Sequence, residues 1–161
     1  MLVPFDSLPE TSKVWIYQAN RSFSDQELQE ITSKLENFIT QWTAHGSTLN
    51  ASFEIRYKRF IILALDQEIN AASGCSIDAS VHFIQQLEKE YGVDLLDKMN
   101  VSYKQGEFIA YKQLNDFRKM AKEKAVSPKT IVFNNLVNTK AEYISDWEVP
   151  ASESWHNRFL K

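Results

Sequence analysis

The sequence predicts an α+β fold: an antiparallel sheet with a ferredoxin-like βαββα core and an elaborated C-terminal half. Three observations carry this. A β-rich segment, Lys13 to Gln18, precedes a helical repeat of apolar residues. Two adjacent strand-like segments follow, Leu49 to Lys58 and Phe60 to Leu65, and a second helical repeat opens near Ser76. With 161 residues, 43% of them hydrophobic and 12% aromatic, the chain is expected to be a single α+β domain spanning 1–161 with a well-packed core.

The first strand, Lys13-Val14-Trp15-Ile16-Tyr17-Gln18, is rich in residues that suit a pleated surface. Ser24-Asp25-Gln26-Glu27 is a capping box, and Leu28, Ile31, Leu35, Phe38, Ile39 and Trp42 then recur at helical spacing. That helix is expected to end near His45-Gly46, with Gly46 as a left-handed cap. From Leu49 to Lys58 the chain alternates: Ala51, Phe53, Ile55 and Tyr57 on one face, Ser52, Glu54, Arg56 and Lys58 on the other. Phe60 to Leu65 is apolar on both faces, as in a central strand covered from both sides, and the hairpin should turn near Lys58 and Arg59. In the second helix Ile77, Val81, Ile84, Leu87 and Tyr91 form the apolar stripe, and Gly92 ends it.

Further on, Val101 to Lys104 and Glu107 to Tyr111 read as a hairpin turning at Gln105-Gly106. Gln113 to Lys124 reads as a helix carrying Leu114, Phe117, Met120 and Ala121. Thr130 to Phe133 and Val137 to Ile144 have strand character, and a short helix starts at Ser152. Either this half completes the sheet and covers its second face, or a second subunit covers it.

A net charge of -3 argues against a general nucleic-acid binder and against an anionic membrane as partner. The single cysteine cannot form an internal disulfide, which suits a reducing compartment. Met1-Leu2-Val3-Pro4-Phe5-Asp6 lacks the basic and apolar regions of a signal peptide, and the longest strongly apolar run, Phe60 to Leu65, is too short to span a bilayer. These features together predict a soluble, cytoplasmic protein.

The densest chemistry lies in Ser73-Gly74-Cys75-Ser76-Ile77-Asp78, with His82 one turn beyond Asp78. In a ferredoxin-like arrangement the end of the first helix and the start of the second share one sheet edge. Trp42-Thr43-Ala44-His45-Gly46 would then meet Ser73 to Ser76. Helix-start amides stabilise anions, and a thiol among them can become a nucleophile with His45 as base or counter-ion. A carboxylate at Asp78 opposes this by raising the thiol pKa. The plainer alternative is an ordinary turn, with Ser76 as N-cap, Asp78 complementing the dipole and Cys75 filling a tight space.

Asp78 and His82 stand four residues apart, nearly opposite the apolar stripe, with Gln85, Gln86 and Lys89 on their side; this is the pattern of a solvated face. His45, Cys75, Asp78 and His82 lack an established ligand spacing, and Asp66 and Glu68 read as ordinary loop acids, so no metal and no cofactor is expected. Trp147 and Trp155 would anchor a partner if exposed, but burial suits tryptophan better. Gly46, Gly74, Gly92 and Gly106 cannot build a phosphate-binding loop or a dinucleotide fingerprint. The chain also lacks the nucleophile-elbow, Cys-x-x-Cys and His-Glu-x-x-His patterns.

Val14-Trp15-Ile16-Tyr17-Gln18, Gln41-Trp42-Thr43-Ala44-His45-Gly46, and Ser73 to Asp78 with Val81-His82-Phe83 together resemble a family of small uncharacterised bacterial proteins that often carries the label "ABC transporter ATPase". The resemblance covers most of the chain and implies no activity, ligand or catalytic residue. The label conflicts with the residues: there is no phosphate-binding loop, and Gln67 follows Asp66 where a catalytic glutamate would stand.

The sequence therefore favours a cytoplasmic binding or interaction protein over an enzyme, and a homodimer is compatible with it. Its most concrete form is a small anionic ligand at the Gly74-to-Ser76 helix start, with Trp42, Ser73, Gly74, Ser76, Asp78 and His82 as candidate ligand-binding residues. The alternatives are a thiol-dependent enzyme using Cys75 with His45, and a structural subunit of a homo- or hetero-oligomer.

Overall fold

The computed structural model describes residues 1–68 and 70–160. Its elements are mixed α and β, and every strand pairing within its sheets is antiparallel. Strand β1 (Lys13–Gln18) leads to helix α1 (Asp25–Gln41), whose capping box forms: the Ser24 hydroxyl accepts the Glu27 amide, and the Glu27 carboxylate accepts the Ser24 amide. Then come two short strands, β2 (Thr43–Ala44) and β3 (Ser47–Thr48), the longer β4 (Ala51–Arg56) and β5 (Phe60–Leu65), and helix α2 (Gly74–Tyr91). The strands β1, β5 and β4 form one sheet in that spatial order.

Strand β5 is buried along its whole length, and its alternation divides two cores. Ile61, Leu63 and Leu65 face Ile31, Leu35 and Ile39 of α1 and Ile84 and Leu87 of α2. Phe60, Ile62 and Ala64 face Phe133, Val137, Tyr143 and Trp147 from the C-terminal half. Burying a side chain of this size stabilises the fold by roughly 1.5–3 kcal/mol. The second sheet face is thus covered within the same chain, and no second subunit is needed for it.

The C-terminal half does not complete the first sheet. It builds a sheet of its own, in the order β7-β6-β8-β9, from β6 (Val101–Gln105), β7 (Phe108–Lys112), β8 (Ile131–Phe133) and β9 (Glu148–Pro150). On the free edge of β1 the C-terminal half adds a bridge from Lys13 to Thr139 and a bond from the Val14 amide to the Asn138 carbonyl, 2.9 Å, rather than a paired strand. The reason is local. The expected strand from Val137 to Ile144 is instead helix α4 (Lys140–Asp146), because Thr139 and Glu142 close a capping box at its start. Helix α3 (Leu114–Lys122) lies where a helix was expected, and two 3-10 turns, Ala151–Glu153 and Trp155–Phe159, end the described chain.

Of three hairpin turns, two differ in detail from expectation and the third, between β4 and β5, lies where it was expected. Helix α1 stops at Gln41, and His45 and Gly46 instead form the two-residue loop of the β2-β3 hairpin, with φ of 51° and 77°. Both central residues in the left-handed region is the signature of a hairpin turn that matches strand twist. The β6-β7 hairpin turns at Gly106-Glu107, one residue later than expected, with Gly106 at φ 64°. The β4-β5 hairpin turns through Tyr57, Lys58 and Arg59, and Tyr57 and Lys58 hold φ of 54° and 57°. A non-glycine residue there costs roughly 1–2 kcal/mol. Ring contacts of Tyr57 with Phe60, Phe133 and Trp147, at centroid distances of 6.4, 5.5 and 6.3 Å, offset that strain.

A buried polar knot joins the two sheets. Gln18 Nε2 donates to the carbonyls of Asn100 (2.7 Å) and Asp97 (3.3 Å), while its Oε1 accepts from Ser102 Oγ (2.7 Å) and Asn135 Nδ2 (2.9 Å). Asn135 Oδ1 in turn accepts the Trp147 indole N–H at 2.9 Å. All four bonding sites of the Gln18 amide are used, as burial requires. Among the described residues no helix is long and apolar enough to cross a membrane.

Candidate functional site

Helix α2 begins two residues earlier than its sequence suggests. Ser73, not Ser76, is the N-cap: its hydroxyl accepts the Ser76 amide at 3.1 Å, and Ser76 Oγ accepts the Ser73 amide at 2.8 Å. A serine at the third helical position replaces the usual Glu or Gln of a capping box, which hides the motif from a pattern search. The buried face of α2 runs through Ser76, Ser80, Ile84 and Leu87, whereas Ile77, Val81 and Tyr91 are only half-buried. The helix ends at Gly92.

The end of α1 and the start of α2 meet. The Trp42 indole is buried and donates to the Ser76 carbonyl at 2.9 Å. Its ring packs at 6.0 Å against Trp15 and 5.3 Å against Phe38, and Phe38 stacks on Phe83 at 4.6 Å. Asn70 Nδ2 donates to the Thr48 carbonyl at 3.1 Å, tying the loop before α2 to β3. The result is a depression of about 420 Å³ lined by Phe38, Gln41, Trp42, Thr43, His45, Ser73, Cys75, Ser76 and Ala79.

Five of the sequence candidates, Trp42, His45, Ser73, Cys75 and Ser76, therefore share one hollow, and Gly74 is not part of its lining. The Cys75 thiol is exposed. Because the Ser76 amide is taken by Ser73 and the Ile77 amide by the Ser73 carbonyl, the amides left without a partner in this first turn, among the described residues, are those of Gly74 and Cys75. Two amide hydrogens at the positive end of an 18-residue helix can hold an anion, and the hollow adds an aromatic wall and an imidazole.

Asp78 and His82 are not part of this lining. Both are exposed, and His82 Nε2 lies 3.4 Å from Gln86 Nε2, on a separate shallow face with Gln85 and Lys89. No group of three or more His, Cys, Asp or Glu side chains suited to a metal occurs among the described residues. Asp66 is committed to its own loop, where Oδ1 accepts the Glu68 amide at 2.9 Å, and the Glu68 carboxylate accepts the Thr11 hydroxyl at 2.9 Å. Trp147 is buried at 2% exposure and Trp155 is half-buried, stacked on His156 at 3.9 Å.

Phe38, Gln41 and Ala79 line the hollow but were absent from the sequence candidates. Helical spacing is the signal that finds them: Phe38 lies one turn before Trp42, and Ala79 one turn after Cys75. Comparison with protein families, with curated proteins and with solved structures found no match.

Proposed function

We propose that this chain is a binding protein whose ligand is a small anion, a phosphate or carboxylate, held at the start of α2. The observation that carries the reading is the pair of unpartnered amides at Gly74 and Cys75, at a helix start whose Cys75 lines a hollow with Trp42 and His45. The amides and the helix dipole supply the attraction, and the buried Trp42 ring gives a fixed wall for an organic group. Calorimetric and thermal-shift titrations with inorganic phosphate and small carboxylates test it. Saturable heat and a raised melting temperature are expected; the absence of both for every anion would remove the reading.

A thiol-dependent enzyme is the second reading, favoured by the exposed Cys75 sharing its hollow with His45. It requires Cys75 to react with an alkylating agent faster in the folded than in the unfolded chain at neutral pH, and His45→Ala to slow it. Equal rates in both states would exclude it.

Two coarser proposals accompany this. The order β1-β5-β4, with α1 and α2 on one face, supports a ferredoxin-like description of the first half. The three quoted stretches support kinship with the small bacterial family; the absence of a phosphate-binding loop opposes the ATPase label.

A further inference from the structure

A second pocket, of about 450 Å³, opens on the other side of the first sheet, between the edge strand β4, helix α4 and the N-terminal turn. Its wall carries Glu54 and Arg56 from β4, Tyr143 and Trp147 from the α4 region, and Asp6 from the N-terminal turn. The Arg56 guanidinium lies over Trp147 and Tyr57, 5.4 Å from each ring centroid. Its one hydrogen bond is from Nη1 to Tyr143 Oη, 3.2 Å, and no carboxylate lies within ion-pair distance of it among the described residues. Tyr143 gives its own proton to Glu54 Oε1 at 2.8 Å. Burial, reinforced by the Glu54 carboxylate, holds that phenol protonated well above the ordinary tyrosine range.

The phenol thus stands as a wedge between an arginine and a glutamate that would otherwise neutralise each other. Two other charges of the pocket are already answered, while Asp6 is an exposed carboxylate at its rim. Glu148 accepts from Tyr57 and from Lys104 Nζ, the latter at 3.0 Å. Lys140 Nζ is caged by the carbonyls of Leu8 (2.7 Å), Phe5 (3.1 Å) and Asp6 (3.4 Å). Inside the pocket the groups left to meet a ligand are a flat guanidinium fork and, on the other side of the Tyr143 hydroxyl, the Glu54 carboxylate, with Asp6 at the rim.

We propose that this pocket binds a small amphoteric molecule, its carboxylate on Arg56 and its ammonium group on Glu54. A guanidinium fork matches a carboxylate in two parallel bonds, and a carboxylate takes an ammonium. Asp6, Glu54 and Glu148 disfavour a plain anion there, and Arg56 and Lys140 disfavour a plain cation. The volume suits a small molecule.

Calorimetric titration with glycine, β-alanine and 4-aminobutyrate, against acetate and ethylammonium as single-charge halves, tests the proposal. At least one amino acid saturates with a Kd below about 10 mM, and both halves bind at least about tenfold more weakly. Arg56→Lys and Glu54→Gln, with circular dichroism unchanged, each weaken the amino acid about tenfold. The proposal is overturned if no amino acid saturates, if acetate or ethylammonium alone binds as well, or if a folded variant binds like the wild type. Phosphate binding at the start of α2 is read separately and stands or falls independently.

Discussion

The two hollows of this molecule are built in opposite ways. The one at the start of α2 draws its attraction from the backbone: two amides, a helix dipole and residues contiguous in sequence. The one over β4 draws it from side chains brought together from β4, α4 and the N-terminal turn, and wired through Tyr143. The first exists wherever a helix starts at a surface and is specialised by Trp42, His45 and Cys75. The second exists only if the C-terminal half docks on the sheet. Damage to that docking should therefore abolish the second site and spare the first.

The largest expected effect breaks the docking itself. Trp147→Ala removes a buried ring packed on Phe60 at 5.0 Å, on Phe133 at 4.9 Å and on Tyr143 at 5.2 Å, and it takes the indole donor from Asn135 Oδ1. Urea denaturation should show a loss of about 3–5 kcal/mol; a loss below about 1 kcal/mol would mean that the two halves hold together without it. Acid provides the next test. Burial pushes His156 down from 6.5 to about 4. The unfolded chain then binds the extra proton first, so stability is full above the unfolded value and falls as pH drops from 6.5 towards 4. The loss is up to about 3 kcal/mol, and His156→Phe should flatten that slope. Below the ordinary glutamate value a different pair contributes: the Arg21 guanidinium, bonded to Glu27, holds that carboxyl down at about 2.

Smaller effects distinguish the hollows from each other. Tyr143→Phe removes the wedge between Glu54 and Arg56 and should cost about 1–2 kcal/mol, while leaving phosphate binding at α2 intact. Ser73→Ala removes the N-cap of α2 and should cost about 1 kcal/mol, with the β4 pocket unaffected in amino-acid titrations. Cys75→Ala should leave the melting temperature unchanged, because the thiol is exposed; a marked drop would assign Cys75 a packing role.

The legible parts of this fold are those where one periodicity dominates. The Ser24 capping box, the Ile31-Leu35-Ile39 stripe and the two-faced apolar run of β5 stand in the sequence as they stand in space. Residues 137–144 misled because Val137, Tyr143 and Ile144 suit a strand, yet the Thr139-Glu142 box wins locally and places Tyr143 and Trp147 on the sheet. Ser76 misled because either serine suits a cap position, and the reciprocal box uses Ser73 as the cap and Ser76 as the third helical residue. The hollow at α2 was partly legible because topology alone brings His45 towards Cys75. The Gln18 knot and the Arg56 pocket were not, since their members are scattered along the chain, 117 residues apart in the bond from Asn135 to Gln18 and 135 in that from Lys140 to Phe5, and carry no local signature.

The most direct measurement is an amide-resolved NMR titration of the whole chain with inorganic phosphate. The account predicts saturable shifts centred on the amides of Gly74 and Cys75 and on the Trp42 indole, with the Arg56 side chain unmoved. Amides at Gly74 and Cys75 that stay in place up to about 10 mM phosphate, or shifts confined to the β4 pocket, would contradict it.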